Sequence, residues 1–394
     1  MLRALENTPR KALTMTTLYY LSFIMLGLAN ASLGPTLPFL AARVGETLQG
    51  ISILFAARSF GYLLGALFGA RLYDHLRGHR LIAIVFLGVG LSLAAIPLIG
   101  KLWLMVIAML LLGSFESTID TGANTLLVWV HREKVGPFMN GLHFAFGVGA
   151  FLVPIIVAQA TLNLGSPAWA YWLLGLLIIP LILLFLHLPS PQNELQPSQA
   201  STLPEAKTDT LVYWIALLFF FYAGVELSFG NWIYSYALKV KIADEITANY
   251  ITSAFWGAFT LGRLLTIPLA AKLKASSLLW LCLGASAVSV IPMLLLPNSR
   301  VAMWTGSIML GLSIAAIFPA IISFAERRID IKGRVMGIFF TGVSLGGMSI
   351  PWLIGQLFET VAPYVMLVVV AISLALTSLL FALIMRRSQS QVSS

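Results

Sequence analysis

Long apolar runs broken by short polar turns repeat along the whole chain. They fall at 13–40, 48–72, 80–99, 102–129, 137–161, 168–188, 211–238, 247–271, 277–297, 301–325, 335–358 and 362–385. A run of roughly 20 mostly apolar residues is enough to cross about 30 Å of hydrocarbon as a helix. The runs are continuous rather than alternating, which predicts helices and excludes a transmembrane β-barrel. The pattern therefore predicts an all-α membrane protein with twelve transmembrane helices. The first run is much longer than a signal-peptide core and reads as an uncleaved span.

One stretch differs in kind. Residues 189–210 (PSPQNELQPSQASTLPEAKTDT) are rich in Pro, Ser, Gln and acids and have no apolar period. They read as a flexible cytoplasmic linker between two bundles of six spans, 1–188 and 211–394.

The two halves repeat. A shift of 196 carries Phe23, Ser32 and Gly34 onto Phe219, Ser228 and Gly230. A shift of 201 carries Gly61, Leu63, Leu64, Ala70 and Leu72 onto Gly262, Leu264, Leu265, Ala271 and Leu273. A shift of 197 carries Met139, Gly149, Pro154 and Gln159 onto Met336, Gly346, Pro351 and Gln356. Apolar coincidences come cheaply in such a chain, but Gly, Pro and Gln matches at nearly one offset do not. A duplicated six-helix unit predicts two pseudo-symmetric bundles and a transporter with its site midway between the halves.

Composition narrows the class further. Hydrophobic residues make up 59% of the 394 and charged residues 10%. Ordinary soluble domains run about 45–50% apolar and about 25% charged. The difference excludes a cytosolic enzyme, a disordered chain and a disulfide scaffold. The net charge of +9 belongs to topology here, not to a nucleic-acid partner. With the N-terminus inside, 17 of the 24 Lys and Arg fall in inner loops and ends, five outside, and Arg58 and Arg263 within spans. That bias predicts both termini in the cytoplasm of a plasma (bacterial inner) membrane. The one cysteine, Cys282, rules out an intramolecular disulfide and reads as a buried apolar residue.

Twelve spans, a polar middle linker and a tandem repeat resemble the major facilitator superfamily. The loop GARLYDHLRGHR (69–80) resembles that superfamily's signature through Gly69, Asp74, His75, Gly78 and Arg80. It departs by one extra residue between Gly69 and Asp74 and by His79 where a longer base is usual. The resemblance implies that Asp74 and Arg80 belong to a charge-pair switch that locks the halves in one state. Four segments, LGPTLPFL (33–40), IDTGANTLLVW (119–129), PFMNGLHFAFGVGAFLVP (137–154) and VELSFGNWIYSYA (225–237), resemble the fucose/galactose/glucose symporters, most of all their sodium-dependent glucose transporter branch. That implies uptake of a hexose-like solute with a cation. Proton-coupled fucose symporters carry an acid in the first span, where this chain has Asn30.

Ionisable groups at membrane depth cost about 2.5–3.5 kcal/mol on insertion scales, so each asks for a reason. Arg58, Glu116, Asp120, Glu226 and Arg263 are the strong cases, and His143 a weaker one. Glu116, Asp120 and Asn124 stand four apart and form one polar stripe on the fourth span. Paired buried carboxyls can hold a proton near neutral pH or share a cation, so Asp120, Glu116 and Glu226 are the expected cation-coupling residues. The alternative is a buried ion pair with an arginine that only fixes packing. Arg58 and Arg263 read either as partner-swapping switches or as permanent structural pairs. Asn124, Asn140, His143, Asn231, Trp232 and Gln356 are the expected substrate contacts, amides for hydroxyls and an indole for a sugar ring. Trp232 reads alternatively as an interfacial aromatic. Gly61, Gly65 and Gly69 read as a close-packing stripe. Gly342, Ser344 and Gly346 match G-x-S-x-G but lie in an apolar run without a preceding strand, so no nucleophile is expected.

The expected function is a secondary active transporter, not an enzyme, performing proton- or sodium-coupled symport of a monosaccharide by alternating access. The competing expectation is a proton-driven exporter of amphipathic drugs or lipids. The expected partners are a sugar and the lipid bilayer, with no nucleic acid, no metal, no cofactor beyond the coupling ion, and a monomeric state.

Overall fold

A computed structural model describes residues 10–191, 210–329, 331 and 333–390, without the side chains at 70, 74, 333 and 387–390. Every predicted span is helical. The first half holds α1 (Arg10–Asn30), α2 (Leu33–Val44), α3 (Leu48–Ile51), α4 (Ile53–His75), α5 (Gly78–Ala95), α6 (Leu102–His131), α7 (Val135–Leu164) and α8 (Ala168–His187). The second holds α9 (Thr210–Lys239), α10 (Glu245–Lys272), α11 (Ala275–Leu295), α12 (Arg300–Ile314), α13 (Ile317–Glu326), α14 (Gly333–Phe358) and α15 (Val365–Ser390). The expected linker lies outside the described residues from 192 to 209.

Eleven stretches among the described residues are long and apolar enough to cross a membrane. One of them, Leu102–Leu164, has 63 residues. At about 1.5 Å per residue it is far too long for one crossing. It divides into α6 and α7 at a 3-10 turn, Arg132–Lys134, where Arg132 takes a left-handed φ of 51°. Splitting it gives twelve spans. Exposed Leu87, Leu91, Trp103, Leu183, Leu295 and Val301 present apolar surface outward, as a lipid-covered protein requires.

Three predicted spans are each built from two helices. The first breaks at Ala31–Ser32 and the tenth at Ala315–Ala316. Pro35 and Pro319 hold the third position of the helix that restarts. Neither has an N–H for the carbonyl four residues back, so the chain begins a new helix there. At the first break Ser32 Oγ donates to the Ala29 carbonyl at 2.7 Å. The 48–72 run also steps at Ser52, after α3, whose N-cap Thr47 accepts from Gly50 N at 3.0 Å.

The repeat is visible in how helices cross. A Cβ at Gly149 would strike the Ile24 carbonyl, and one at Gly346 the Phe220 carbonyl. The two glycines are 197 apart and the two carbonyl residues 196 apart. Likewise Gly61 lies against the Leu110 carbonyl and Gly262 against the Leu312 carbonyl. The duplicated sequence builds duplicated crossings, each relying on the missing side chain for close backbone approach.

By contacts the chain forms two compact units. Unit 1 is Met1–Ser32 with Phe60–Lys207, and unit 2 is Leu33–Ser59 with Thr208–Ser394. Thus α2, α3 and the first turns of α4 group with unit 2. Helix α2 packs on α9, and α3 packs on α14. Gly34 allows the first of these contacts, because a Cβ there would come within 2.7 Å of the Asn231 backbone.

Candidate functional site

In unit 1 the glycine stripe sets the geometry. Gly61, Gly65 and Gly69 recur on one face of α4, where Cβ atoms would meet the Leu110 carbonyl, the Ser114 carbonyl and the Thr118 side chain. The backbones of α4 and α6 are therefore nearly in contact, and Ser114 Oγ donates to the Gly61 carbonyl at 3.0 Å. That approach brings the Tyr62 hydroxyl onto Asp120, to whose Oδ2 it donates. From the next turn Asn124 Nδ2 donates to Asp120 Oδ1 at 2.8 Å and to its carbonyl at 2.9 Å. Asp120 and Asn124 are half-buried. Glu116, one turn earlier, is 1% exposed. The expected stripe thus exists, and both Asp120 oxygens accept from neutral donors. Tyr62 was not among the expected site residues. Its signal is its place beside Gly61, where only a long side chain reaches across the close crossing.

In unit 2 a second polar cluster surrounds Glu226 on α9. Glu226 is half-buried and interacts electrostatically with Arg263 of α10 and with Tyr222 one turn before it. The buried Tyr222 hydroxyl makes no well-formed hydrogen bond among the described residues. The Arg263 guanidinium carbon stands 4.5 Å above the Phe259 ring, a cation–π arrangement that compensates part of its desolvation. Among the described residues no three His, Cys, Asp or Glu gather as a metal site.

The sequence matches the Major Facilitator Superfamily over residues 19–351. The chain belongs to the Major Facilitator Superfamily. It is an integral membrane transporter rather than an enzyme. Sodium-dependent glucose transporter 1 of Danio rerio is 30% identical over 91% of this chain and 67% of its own. Its Homo sapiens namesake is 31% identical, covering 85% and 72%. Major facilitator superfamily domain-containing protein 4A of Homo sapiens is 25% identical, covering 91% and 89%. Among solved structures, the nucleoside transporter NupG superposes with a TM-score of 0.76 at 16% identity, over 96% of this chain and 99% of that one. That last likeness shows the major facilitator fold.

Within this superfamily member the other expected residues sit in varied surroundings. Trp232 is fully buried, its Nε1 donates to the Pro351 carbonyl at 2.9 Å, and Phe358 and Phe55 lie 4.7 and 5.7 Å from its ring. It packs α9 against α14 and α4 and offers no open face to a sugar in this conformation. Gln356 is likewise engaged. Its Nε2 donates to Ser52 Oγ at 3.1 Å and to the Gln49 carbonyl at 3.3 Å, while its Oε1 accepts from Gln49 Nε2 at 3.2 Å. Glu359 extends this latch by accepting from Gln49 N and from Lys239 Nζ, both at 3.2 Å. Gln49, Ser52, Glu359 and Lys239 were not anticipated, because gaps of some 300 residues from Gln49 and Ser52 to Gln356, and of 120 from Lys239 to Glu359, leave no local signal.

Asn231 is half-buried, with Nδ2 donating to the Leu227 carbonyl at 2.8 Å. Asn140 and His143 are exposed on α7, and His143 meets Phe23 edge-on at 5.8 Å. Arg58 is buried, in the part of α4 that belongs to unit 2. In the 69–80 loop the Asp74 side chain lies outside the described residues, and Arg80 is exposed. His79 does the tying there. It meets the Tyr19 hydroxyl at 2.8 Å and the Leu188 carbonyl at 3.1 Å, and its N–H donates to Ser190 Oγ at 3.3 Å.

Proposed function

We propose that this transporter couples uptake of a monosaccharide to a cation, proton or sodium, by alternating access. The observation that carries the reading is Asp120, an acid at membrane depth fixed by Tyr62 and Asn124 on helices that pack backbone to backbone. A half-buried carboxylate with both oxygens oriented by neutral donors keeps its charge available for a cation. A permanent arginine pair would have spent it. Glu116 supplies a second acid one turn away, and Glu226 a third in unit 2. Substrate contacts are assigned to Asn124, Asn140 and His143 in unit 1 and to Asn231 in unit 2. Relatives named as sodium-dependent glucose transporters support a sugar as cargo. The protein works as a monomer in the plasma membrane with both termini cytoplasmic, a placement supported by the distribution of Lys and Arg.

The test is hexose accumulation in proteoliposomes with an imposed sodium or proton gradient. Accumulation that needs the gradient and is lost in Asp120→Asn supports the proposal. Efflux of amphipathic dyes with no sugar uptake would replace it with the exporter.

A further inference from the structure

Helices α11 and α15 of unit 2 pack on each other and present a groove to the membrane. Exposed Leu281, Val288, Ile372 and Leu379 mark this face as apolar and outward. The groove holds about 120 Å³ and is lined by Ala287, Val290 and Ile291 of α11 and by Ala371, Ala375 and Ser378 of α15. Small side chains on both walls make it. Three residues before Ala287, on the same face of α11, Gly284 has no atom within 4 Å of the place a Cβ would take. The Ser378 hydroxyl donates to the Leu374 carbonyl of its own helix at 2.9 Å, so its hydrogen is spent within α15.

Aromatic rings stand where α11 begins and α15 ends. Trp280 lies 5.1 Å from Phe381, and Phe381 lies 5.1 Å from Phe324 of α13. Phe381 and Phe324 are buried and Trp280 is 42% exposed, so an indole faces the lipid one turn from Gly284, backed by two rings. Cations follow on all three elements. Arg328 folds back over Phe324 with its guanidinium carbon 3.8 Å from the ring centre, and its Nη1 donates to the Phe324 carbonyl at 3.2 Å. That bond uses one guanidinium N–H of five and fixes the plane of the rest. Arg386 comes five residues after Phe381, and Lys274 six residues before Trp280. Both are exposed, about 8 and 9 Å beyond the rings along their helices. Arg327 and Lys272 add to them, and Glu326 is the acid of α11, α13 and α15 among the described residues.

We propose that an anionic phospholipid of the cytoplasmic leaflet binds along α11 and α15, with one acyl chain in the groove and its phosphate against Arg328, Arg386 and Lys274. The bias of Lys and Arg puts this end of the helices inside. The lengths agree. One leaflet's share of a core of about 30 Å is about 15 Å, which is about ten residues of helix. A chain starting at Trp280 therefore passes Gly284 and Ala287 and ends near Val290, within the groove. Tryptophan favours the level where chains meet headgroups. The arginine fork matches phosphate oxygens, and basic pockets between spans on the cytoplasmic side hold anionic headgroups. A zwitterionic lipid brings its own cation into the cluster and gains less. A second copy of this chain, packed on the same face about a two-fold axis, would set these cations against themselves. Charge thus selects the lipid over a dimer. The inference stands apart from the coupling residues and does not need them.

The experiment titrates lipid into the full-length protein in detergent and reads the thermal midpoint, which a ligand raises by mass action. The probes are phosphatidylglycerol, phosphatidylcholine and soluble glycerol phosphate. The expected result is a rise with phosphatidylglycerol at a concentration at least about tenfold below that needed of phosphatidylcholine, and none with glycerol phosphate. Arg328→Gln should raise the phosphatidylglycerol requirement by about tenfold or more and leave phosphatidylcholine alone. Arg386→Gln and Lys274→Gln, outside the bond that caps α13, carry the same test should Arg328→Gln fail to fold. Ala287→Leu fills the groove and should weaken both lipids. Arg300→Gln, a cation at the far end of the α12–α13 span, should change neither. Equal response to the two lipids in wild type overturns the site. So does a phosphatidylglycerol response that is unchanged in the Gln variants or in Ala287→Leu, or that Arg300→Gln weakens as much. A response to glycerol phosphate matching that to phosphatidylglycerol leaves the groove no role and also overturns it. A lipid-free dimer that Ala287→Leu dissociates would replace the lipid with a second copy.

Discussion

The Tyr62 hydroxyl of α4 donates to the Asp120 carboxylate of α6, and it reaches because Gly61 and Gly65 let the two helix backbones touch. A hydrogen bond to a charged group is worth about 1.5–3 kcal/mol. Tyr62→Phe removes that bond and leaves the ring. It should weaken the cation dependence of uptake by roughly tenfold or more, at about 1.4 kcal/mol per decade. The maximal rate at saturating cation should change little. Uptake titrated against sodium and against pH measures this. An unchanged half-saturating concentration would remove Tyr62 from the site.

The paired crossings predict paired costs. Gly149→Val and Gly346→Val each push a side chain into a main-chain carbonyl on the neighbouring helix, an overpacking worth about 1–3 kcal/mol or more. Both should lower thermal stability in detergent by similar amounts. Gly284, around which no atom lies within 4 Å of the would-be Cβ, should accept alanine with little effect.

These crossings also show what was legible in the sequence. The twelve spans, the duplication and the Asp120–Asn124 stripe could be read because apolar length and four-residue spacing are local properties. The Gly and Pro matches between halves predicted the duplication, and the equivalent carbonyls met by Gly149 and Gly346 give a physical reason for that glycine match. Two things were not legible. The breaks before Pro35 and Pro319 were hidden because the apolar run continues through them. The partners of Gln356 (Gln49 and Ser52) and of Trp232 (Pro351, Phe358 and Phe55) lie more than 100 residues away in the chain.

The latch of Gln49, Ser52, Gln356, Glu359 and Lys239 holds segment 33–59 to the rest of unit 2. Alternating access as proposed requires it to open. In a Cys282→Ser background, Gln49→Cys with Gln356→Cys joined by a short bifunctional reagent should abolish uptake, and reduction of the link should restore it. Uptake that persists in fully linked protein would show that the segment does not move. Glu359→Gln removes only the exposed Lys239 pair, which is worth at most about 1 kcal/mol, and should shift the conformational balance modestly.

Asp244, outside the spans, caps α10 by accepting from Thr247 N at 2.7 Å, and hydrogen bonding from the Thr247 side chain, then from its main chain, holds the carboxyl below the usual carboxylate range. A lowered folded value means the cap's contribution is complete above the ordinary carboxylate range and is lost as pH falls through the depressed value. Asp244→Ala should destabilise by an amount at the low end of about 0.5–2 kcal/mol. The difference from wild type should shrink in melts recorded at progressively lower pH.

The central claim is that Asp120 binds the coupling cation. The most direct test is hexose accumulation against its own gradient in proteoliposomes, wild type beside Asp120→Asn, with sodium and proton gradients applied separately. The account predicts gradient-driven accumulation in wild type. It predicts that Asp120→Asn loses accumulation but keeps downhill exchange of sugar. Accumulation of equal extent in the Asn variant would contradict it.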